Sequence, residues 1–445
     1  MQKPRGMFAF TIVWLGQIAS LLGSAMTQFA LTIWVWQETG QATQLALVGF
    51  FAFGPTVFLS PVAGALVDRL NRKLVMMLSD LGAGLASIIM LLLISSNQLE
   101  IWHLYVLSAW VGAFSAFQFP AYSAAISTMI DKSHYARANG MLSLADESSK
   151  IAAPLLAGAL IGFIGLEGIL VIDIISFSIA VLMLFFVHIP QLKPKEDSQK
   201  EPPGLWQDSM FGFKFMLEKR PLLHVQLIFL VINFTATFST ILLAPFILAK
   251  TMNNELLLGT VQSAIGVGGV AGGLLLSIWG GPKRKIHGVL IGMAVSGLFG
   301  SVLLGIGQTP LIWVLGGFFF FVSVPILNGS NQAIWQSKVP LEHQGKVFAA
   351  RRLIAQLTAP IAMLLAGPLA DRVFEPLMMV GGQLEPALSW LVGSGAGSGM
   401  GLMMVLFGLL STAAGLMGYL IPTVRNVETL LPDHDALPET PKKTI

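Results

Sequence analysis

Twelve apolar runs, each long enough to cross a bilayer as a helix, limit what this chain can fold into more than any other feature. They cover approximately 8–36, 44–67, 74–95, 101–128, 138–164, 169–189, 222–249, 257–279, 288–307, 311–335, 348–370 and 398–421. A hydrocarbon core about 30 Å thick takes roughly 20 apolar residues per helix, and a helix satisfies its own backbone there. Composition agrees, since 54% of the residues are hydrophobic and 11% charged, against about 25% charged in a soluble domain. A water-soluble globule is excluded, and the expected fold class is an all-α membrane protein with 12 transmembrane helices. The run over 8–36 carries no charge and is too long for a signal-peptide core, so it is read as helix 1. The absence of cysteine removes disulfides, thiolate metal sites and cysteine nucleophiles.

Twelve spans return the chain to the side on which it began, and the basic residues indicate which side that is. Placing both termini inside assigns 23 of the 26 Lys and Arg residues to inner loops, with Lys250 and Arg372 outside and Lys150 within a span. Positive residues are retained on the cytoplasmic face, so the expectation is an inner or plasma membrane with cytoplasmic termini. Trp34, Trp36, Trp102, Trp279, Trp313 and Trp335 lie near span ends, as interfacial anchors would.

The one long polar connection, QLKPKEDSQKEPPG and its flanks, separates six spans from six. The expected units are a six-helix bundle over 1–189, a linker over 190–221, a second six-helix bundle over 222–421 and a cytoplasmic tail over 422–445. Within the linker, 205–218 (LWQDSMFGFKFMLE) is amphipathic and is expected to lie on the inner leaflet with its Trp and Phe residues at the interface. A shift of 209 residues places Leu155-Leu156-Ala157-Gly158 on the identical Leu364-Leu365-Ala366-Gly367 and His134 on His343. Helix 5 thus echoes helix 11, which favours two pseudo-symmetric halves in parallel repeat.

After helix 2 the chain reads Gly64-Ala65-Leu66-Val67-Asp68-Arg69-Leu70-Asn71-Arg72-Lys73. This resembles the signature loop of the major facilitator superfamily, G-x-x-x-D-R-x-G-R-K, with Asn71 at the usual glycine, where Asn tolerates positive φ. Helix 5 carries Ala153-Pro154 and Ala157-Gly158, a weakened form of the family's antiporter motif in which Pro154 and Gly158 remain. With Gly367-Pro368-Leu369-Ala370-Asp371-Arg372 closing helix 11, the chain resembles the branch containing macrolide exporters and the enterobactin exporter. The resemblance implies two rocking six-helix bundles and a conformational gate at Gly64, Asp68, Arg69, Arg72 and Lys73. Arg351 and Arg352 open helix 11 on the same side and are expected to pair with Asp68 across the halves when the inner gate closes.

Asp146, Glu147 and Lys150 lie well inside helix 5, where a central charge costs about 2.5 to 3.5 kcal/mol. They are expected to face the bundle interior, and Asp146 or Glu147 is the candidate for proton coupling. Asp80 and Asp173 are read as lying nearer span ends, in structural hydrogen bonds. Gln17, Thr27, Gln28, Gln118, Asn233, Asn328, Asn331 and Gln332 are candidates for lining a polar, uncharged cavity among Met and Phe side chains, suited to amphipathic substrates.

No H-E-x-x-H, G-x-S-x-G or P-loop sequence occurs, so neither a hydrolase nor an ATP-driven pump is indicated. No catalytic residue, metal, cofactor or nucleic-acid partner is expected. The reading is a monomeric secondary transporter, with protons as the coupling ion and the bilayer as its surroundings, exporting a drug-like compound or secondary metabolite. The alternatives are a lipid or lysophospholipid transporter and a sensor that keeps the fold without transporting.

Overall fold

The computed structural model describes residues 6–67, 70–131, 134–187, 189 and 205–434, and among these residues it is built of helices with no strand. Four helices open the chain: α1 (Gly6–Thr39), α2 (Ala42–Val67), α3 (Arg72–Ser95) and α4 (Ile101–Met129). They are followed by α5 (Tyr135–Phe186), α6 (Leu205–Glu218), α7 (Arg220–Lys250) and α8 (Glu255–Trp279). Next come α9 (Lys285–Val295), a π-helical stretch (Ser296–Val302) and α10 (Leu303–Ile306). Then α11 (Pro310–Val322), α12 (Val324–Lys338) and α13 (Leu341–Leu369) lead through a second π-helical stretch (Ala370–Phe374) into α14 (Glu375–Met378). The chain ends with α15 (Glu385–Val392), α16 (Ser398–Leu420), α17 (Pro422–Arg425) and α18 (Val427–Leu430).

Eleven helices are long and apolar enough to span a membrane, one of them a 47-residue segment, Gly140–Phe186. At 1.5 Å per residue such a segment would measure about 70 Å, more than twice the hydrocarbon thickness. It makes two passes because the chain reverses at Gly165, whose φ of 66° and ψ of −175° are open only to glycine. The reversal is visible along α1. Trp14 Nε1 donates to Met141 O at 2.7 Å, while a β-carbon at nearby Gly16 would stand 3.0 Å from Ala180 Cα. Farther along α1, Ser24 bonds Asp173, and Trp34 and Gln37 lie beside Ile161 and Gly165. Twelve crossings result.

The helices pack as two groups, α1–α5 and α7–α16, joined at one end. At the end bearing most of the basic residues, the first group has its own core around Phe10, Val67, Met76, Met129 and Leu184. The second has a separate core there around Leu222, Val289, Trp335, Val347 and Val424. Toward the opposite end one cluster draws on both groups, including Phe29, Ala153, Leu242, Leu258, Ala366 and Met403. Trp36 Nε1 donates to Asn253 Oδ1 at 3.1 Å and Gln37 to Glu255 at 2.8 Å across the halves there.

The repeated Leu-Leu-Ala-Gly acquires a structural meaning at this junction. A β-carbon at Gly158 would lie 2.9 Å from Glu255 O, at the start of α8. Gly367 is set in the same way against Thr43, at the start of α2. In each half the glycine of the echoed segment therefore receives the first turn of the other half's second helix.

One expectation is corrected: Trp313 and Trp335 are 3% and 0% exposed, and they fill the protein core instead of anchoring at an interface. Phe211 and Phe215 of α6 are half-buried and lie near the His343 ring, and Gly212 packs against the Lys346 carbonyl of α13. After α16 the chain docks back on the second group: Glu428 accepts from the amides of Lys285 and Ile286 at 3.0 Å each, capping α9. Lys338 Nζ donates to Glu428 O at 2.7 Å, Leu431 O at 2.6 Å and Asp433 Oδ1 at 2.7 Å.

Candidate functional site

The first group of helices encloses two carboxylates within its membrane-spanning segments. Asp80 on α3 is 2% exposed. Gln17 of α1 donates to one of its oxygens at 3.1 Å, and Gln118 of α4 donates to the other at 2.5 Å. The two amides also meet each other, Gln118 Nε2 to Gln17 Oε1 at 3.4 Å. Both line a cavity of about 410 Å³ with Leu21, Ser115, Tyr122, Leu142 and Asp146. Asp173, in the second pass of α5, is buried and accepts from Ser24 at 3.0 Å and from Ser87 at 2.7 Å. It borders a second cavity of about 110 Å³, whose walls include Thr27 and Gln28. Both acids make the expected hydrogen bonds, and each lies two turns inside its helix, Asp80 past Arg72 of α3 and Asp173 past the reversal at Gly165.

Of the α5 charges, Asp146 lines the larger cavity. Lys150 Nζ donates to Asp146 Oδ2 at 2.5 Å and to Glu147 Oε1 at 3.0 Å. Asp146 and Lys150 are 56% and 51% exposed. One turn on, Ile151 O accepts from Ser263 of α8 at 2.7 Å, and Pro154 packs against Gly259. The α5 stripe that carries Pro154 and Gly158 therefore meets the other half, with the charges at its basic-end margin.

In the second group, Arg351 Nη1 donates to Gln332 Oε1 at 2.7 Å, and its guanidinium lies 5.3 Å from the Trp335 ring and 5.9 Å from the Phe229 ring. Asn331 is completely buried one residue away from Gln332, Asn328 is exposed, and Asn233 donates to Phe229 O at 3.0 Å. Arg352 is exposed. The candidates thus divide: Gln17 and Gln118 converge on Asp80, Thr27 and Gln28 share the cavity beside Asp173, and Gln332 meets Arg351.

Of the signature loop, Asp68 and Arg69 lie outside the described residues, and Gly64 lies in α2. Asn71 has φ −68° and ψ 108°, not the positive φ expected of a glycine surrogate. It is the N-cap of α3, its side chain accepting from Leu74 N at 3.1 Å, a task for which Asn is among the best residues. Arg72 opens α3, and Lys73 Nζ donates to Phe185 O at 2.9 Å and Val187 O at 2.6 Å, closing the end of α5.

Sequence reasoning missed Asp371. Its carboxylate crosses between halves to accept from the amides of Ala42 at 3.0 Å and Thr43 at 2.7 Å, capping α2. Glu375, one turn on, accepts from Gly397 N at 3.0 Å and Met400 N at 2.8 Å at the start of α16. The available signal was Gly367-x-x-x-Asp371-Arg372, the same spacing as Gly64-x-x-x-Asp68-Arg69.

Two helical groups joined at one end, with polar side chains buried between spans, define a multi-pass membrane transporter architecture. The profile described as Major Facilitator Superfamily matches residues 13–363, and the chain belongs to that family. It is 26% identical over 377 residues to macrolide efflux protein A of Streptococcus pyogenes, covering 82% of this chain and 90% of that protein. It is 24% identical over 356 residues to the multidrug efflux pump Tap of Mycolicibacterium fortuitum, covering 78% and 86%. Among solved structures, the fold is similar to a bacterial homologue of the human lysosomal transporter Spinster in an inward-facing, unoccupied conformation. That match has a TM-score of 0.68 at 16% identity and covers 96% of this chain and 98% of the other. A bacterial homologue of the iron transporter ferroportin, inward-facing, matches with a TM-score of 0.61 at 15% identity, covering 92% and 99%.

Proposed function

We propose that this protein is a proton-coupled exporter of amphipathic, drug-like compounds or secondary metabolites, working by alternating access in a bacterial-type inner membrane with both termini cytoplasmic. The observation that carries the reading is the joining of the two halves at one end and their separate cores at the basic end. With the basic end in the cytoplasm, that arrangement is inward-facing, the state in which an exporter loads. The efflux relatives support the direction of transport. The α5 triplet of Asp146, Glu147 and Lys150, beside a cavity with both amide and apolar walls, supports coupling of a proton to an amphipathic substrate.

Closure of the inner face would bring Asp68 toward Arg351 and Arg352, three turns into α13. Arg351 would then exchange its bond to Gln332 for a carboxylate. Arg72 and Lys73 hold the adjoining end of the first half, and the monomer contains every element that the cycle requires.

The test is uptake of erythromycin and ethidium into inverted membrane vesicles. An imposed acidic interior should drive accumulation of at least one compound, and a protonophore should abolish it. Accumulation indifferent to both treatments would overturn proton coupling.

A further inference from the structure

Asp80 is a buried carboxylate inside a membrane-spanning helix without a counter-ion: among the described residues, no basic side chain lies within ion-pair distance of it. Its partners are two neutral amides. That choice of partner matters. Gln17 and Gln118 donate N–H to an ionised carboxylate, and rotation of either amide presents an oxygen that accepts from a protonated one. The site is thus satisfiable in both protonation states, whereas a lysine partner would favour only the charged one. The same two amides form the wall of the cavity that also carries Asp146. Tyr122 lines it too, and its phenolic oxygen is buried with no hydrogen-bond partner. Half-exposed paired ions at Asp146 and Lys150 would be costly against hydrocarbon, so that margin of the cavity is wet.

We infer that Asp80 is the internal proton-binding carboxylate of the transport cycle, reached from the cavity wall at Asp146 through the Gln17 and Gln118 amides. The inference rests on the proton-coupled reading above and names the residue that holds the proton. In the step, a hydronium ion entering the cavity gives up one O–H bond and leaves as water, while its proton forms an O–H bond to one Asp80 oxygen and neutralises the carboxylate. It later leaves from the same group, and no electrons are transferred. The groups facing Asp80 are Gln17 from α1 and Gln118 and Tyr122 from α4. Asp146 faces the same cavity from α5, with its own charge held by Lys150. Loss of the negative charge relaxes the amides that tie α1 and α4 to α3, which is how the proton would reach the helices.

Infrared difference spectroscopy on purified protein, acidified in steps, tests this without any substrate. Among the protonated-carboxyl C=O bands that grow in the wild type, one from a buried group should be lost in Asp80→Asn, shift in Asp80→Glu and persist in Asp146→Asn. Persistence of the full band in Asp80→Asn overturns the assignment, and Asp80→Glu decides it if Asp80→Asn fails to fold. In liposomes, pH-gradient-driven accumulation of erythromycin should fall about tenfold in Asp80→Asn, with counterflow falling less. Undiminished gradient-driven accumulation in this variant also overturns the assignment. If the wild type accumulates nothing under a gradient, the proposed function fails while the infrared band still decides the role of Asp80.

Discussion

A carboxylate placed at the start of a helix satisfies amides that the helix leaves unpaired and meets the positive end of its dipole. Glu428 does this for α9 from 142 residues away. Replacing a cap of this kind costs about 1 kcal/mol, so Glu428→Ala should lower the thermal midpoint in detergent by about 2 °C. A larger fall is expected for Lys338→Met, which leaves two backbone carbonyls and Asp433 without their shared cation. Equal midpoints for both variants and the wild type would show that the docked tail contributes nothing. At this scale the sequence was legible wherever chemistry is local. The capping role of Asn71 follows from its position before α3, where Asn is among the favoured N-cap residues. Asp80, Gln17 and Gln118 could not be joined by inspection, because each is one polar residue in an apolar span and their partners are 63 and 38 residues distant.

Between elements, backbone approach governs what the halves can do. The α5 and α8 surfaces meet through Gly259, where any β-carbon would overlap the Pro154 carbonyl, and through Gly158. Gly259→Val should therefore separate the two helices at a cost of about 1 to 3 kcal/mol. It is expected to shift the transporter away from the inward-facing state and to reduce transport without preventing membrane insertion. Proteolytic accessibility of the loop over 250–255 would report the change, and wild-type accessibility with wild-type transport would contradict it. The twelve spans were readable from hydropathy because each had to be long and apolar. Whether two of them form one merged helix with a reversal at Gly165 was not readable, since glycine is frequent throughout these spans.

Across the whole molecule, Asp371 ties the start of α2 to the end of α13 at the joined face. Asp371→Asn keeps the shape but weakens the charge-assisted bonds to two amides. It should raise the population in which the joined face opens. The chain contains no cysteine, so spin labels at Glu38→Cys and Met252→Cys would measure that face directly. A longer distance component should grow in Asp371→Asn, and an unchanged distribution would remove Asp371 from gating.

The number of crossings and the family were already determined by the linear chain. A bilayer imposes span length and charge asymmetry on every segment independently of its neighbours. Tertiary packing alone decided which buried acids stand uncompensated, which tryptophans are core and which glycines admit the other half. Those properties depend on pairs of residues tens to hundreds of positions apart, brought together only when helices choose their neighbours and the faces they turn toward them.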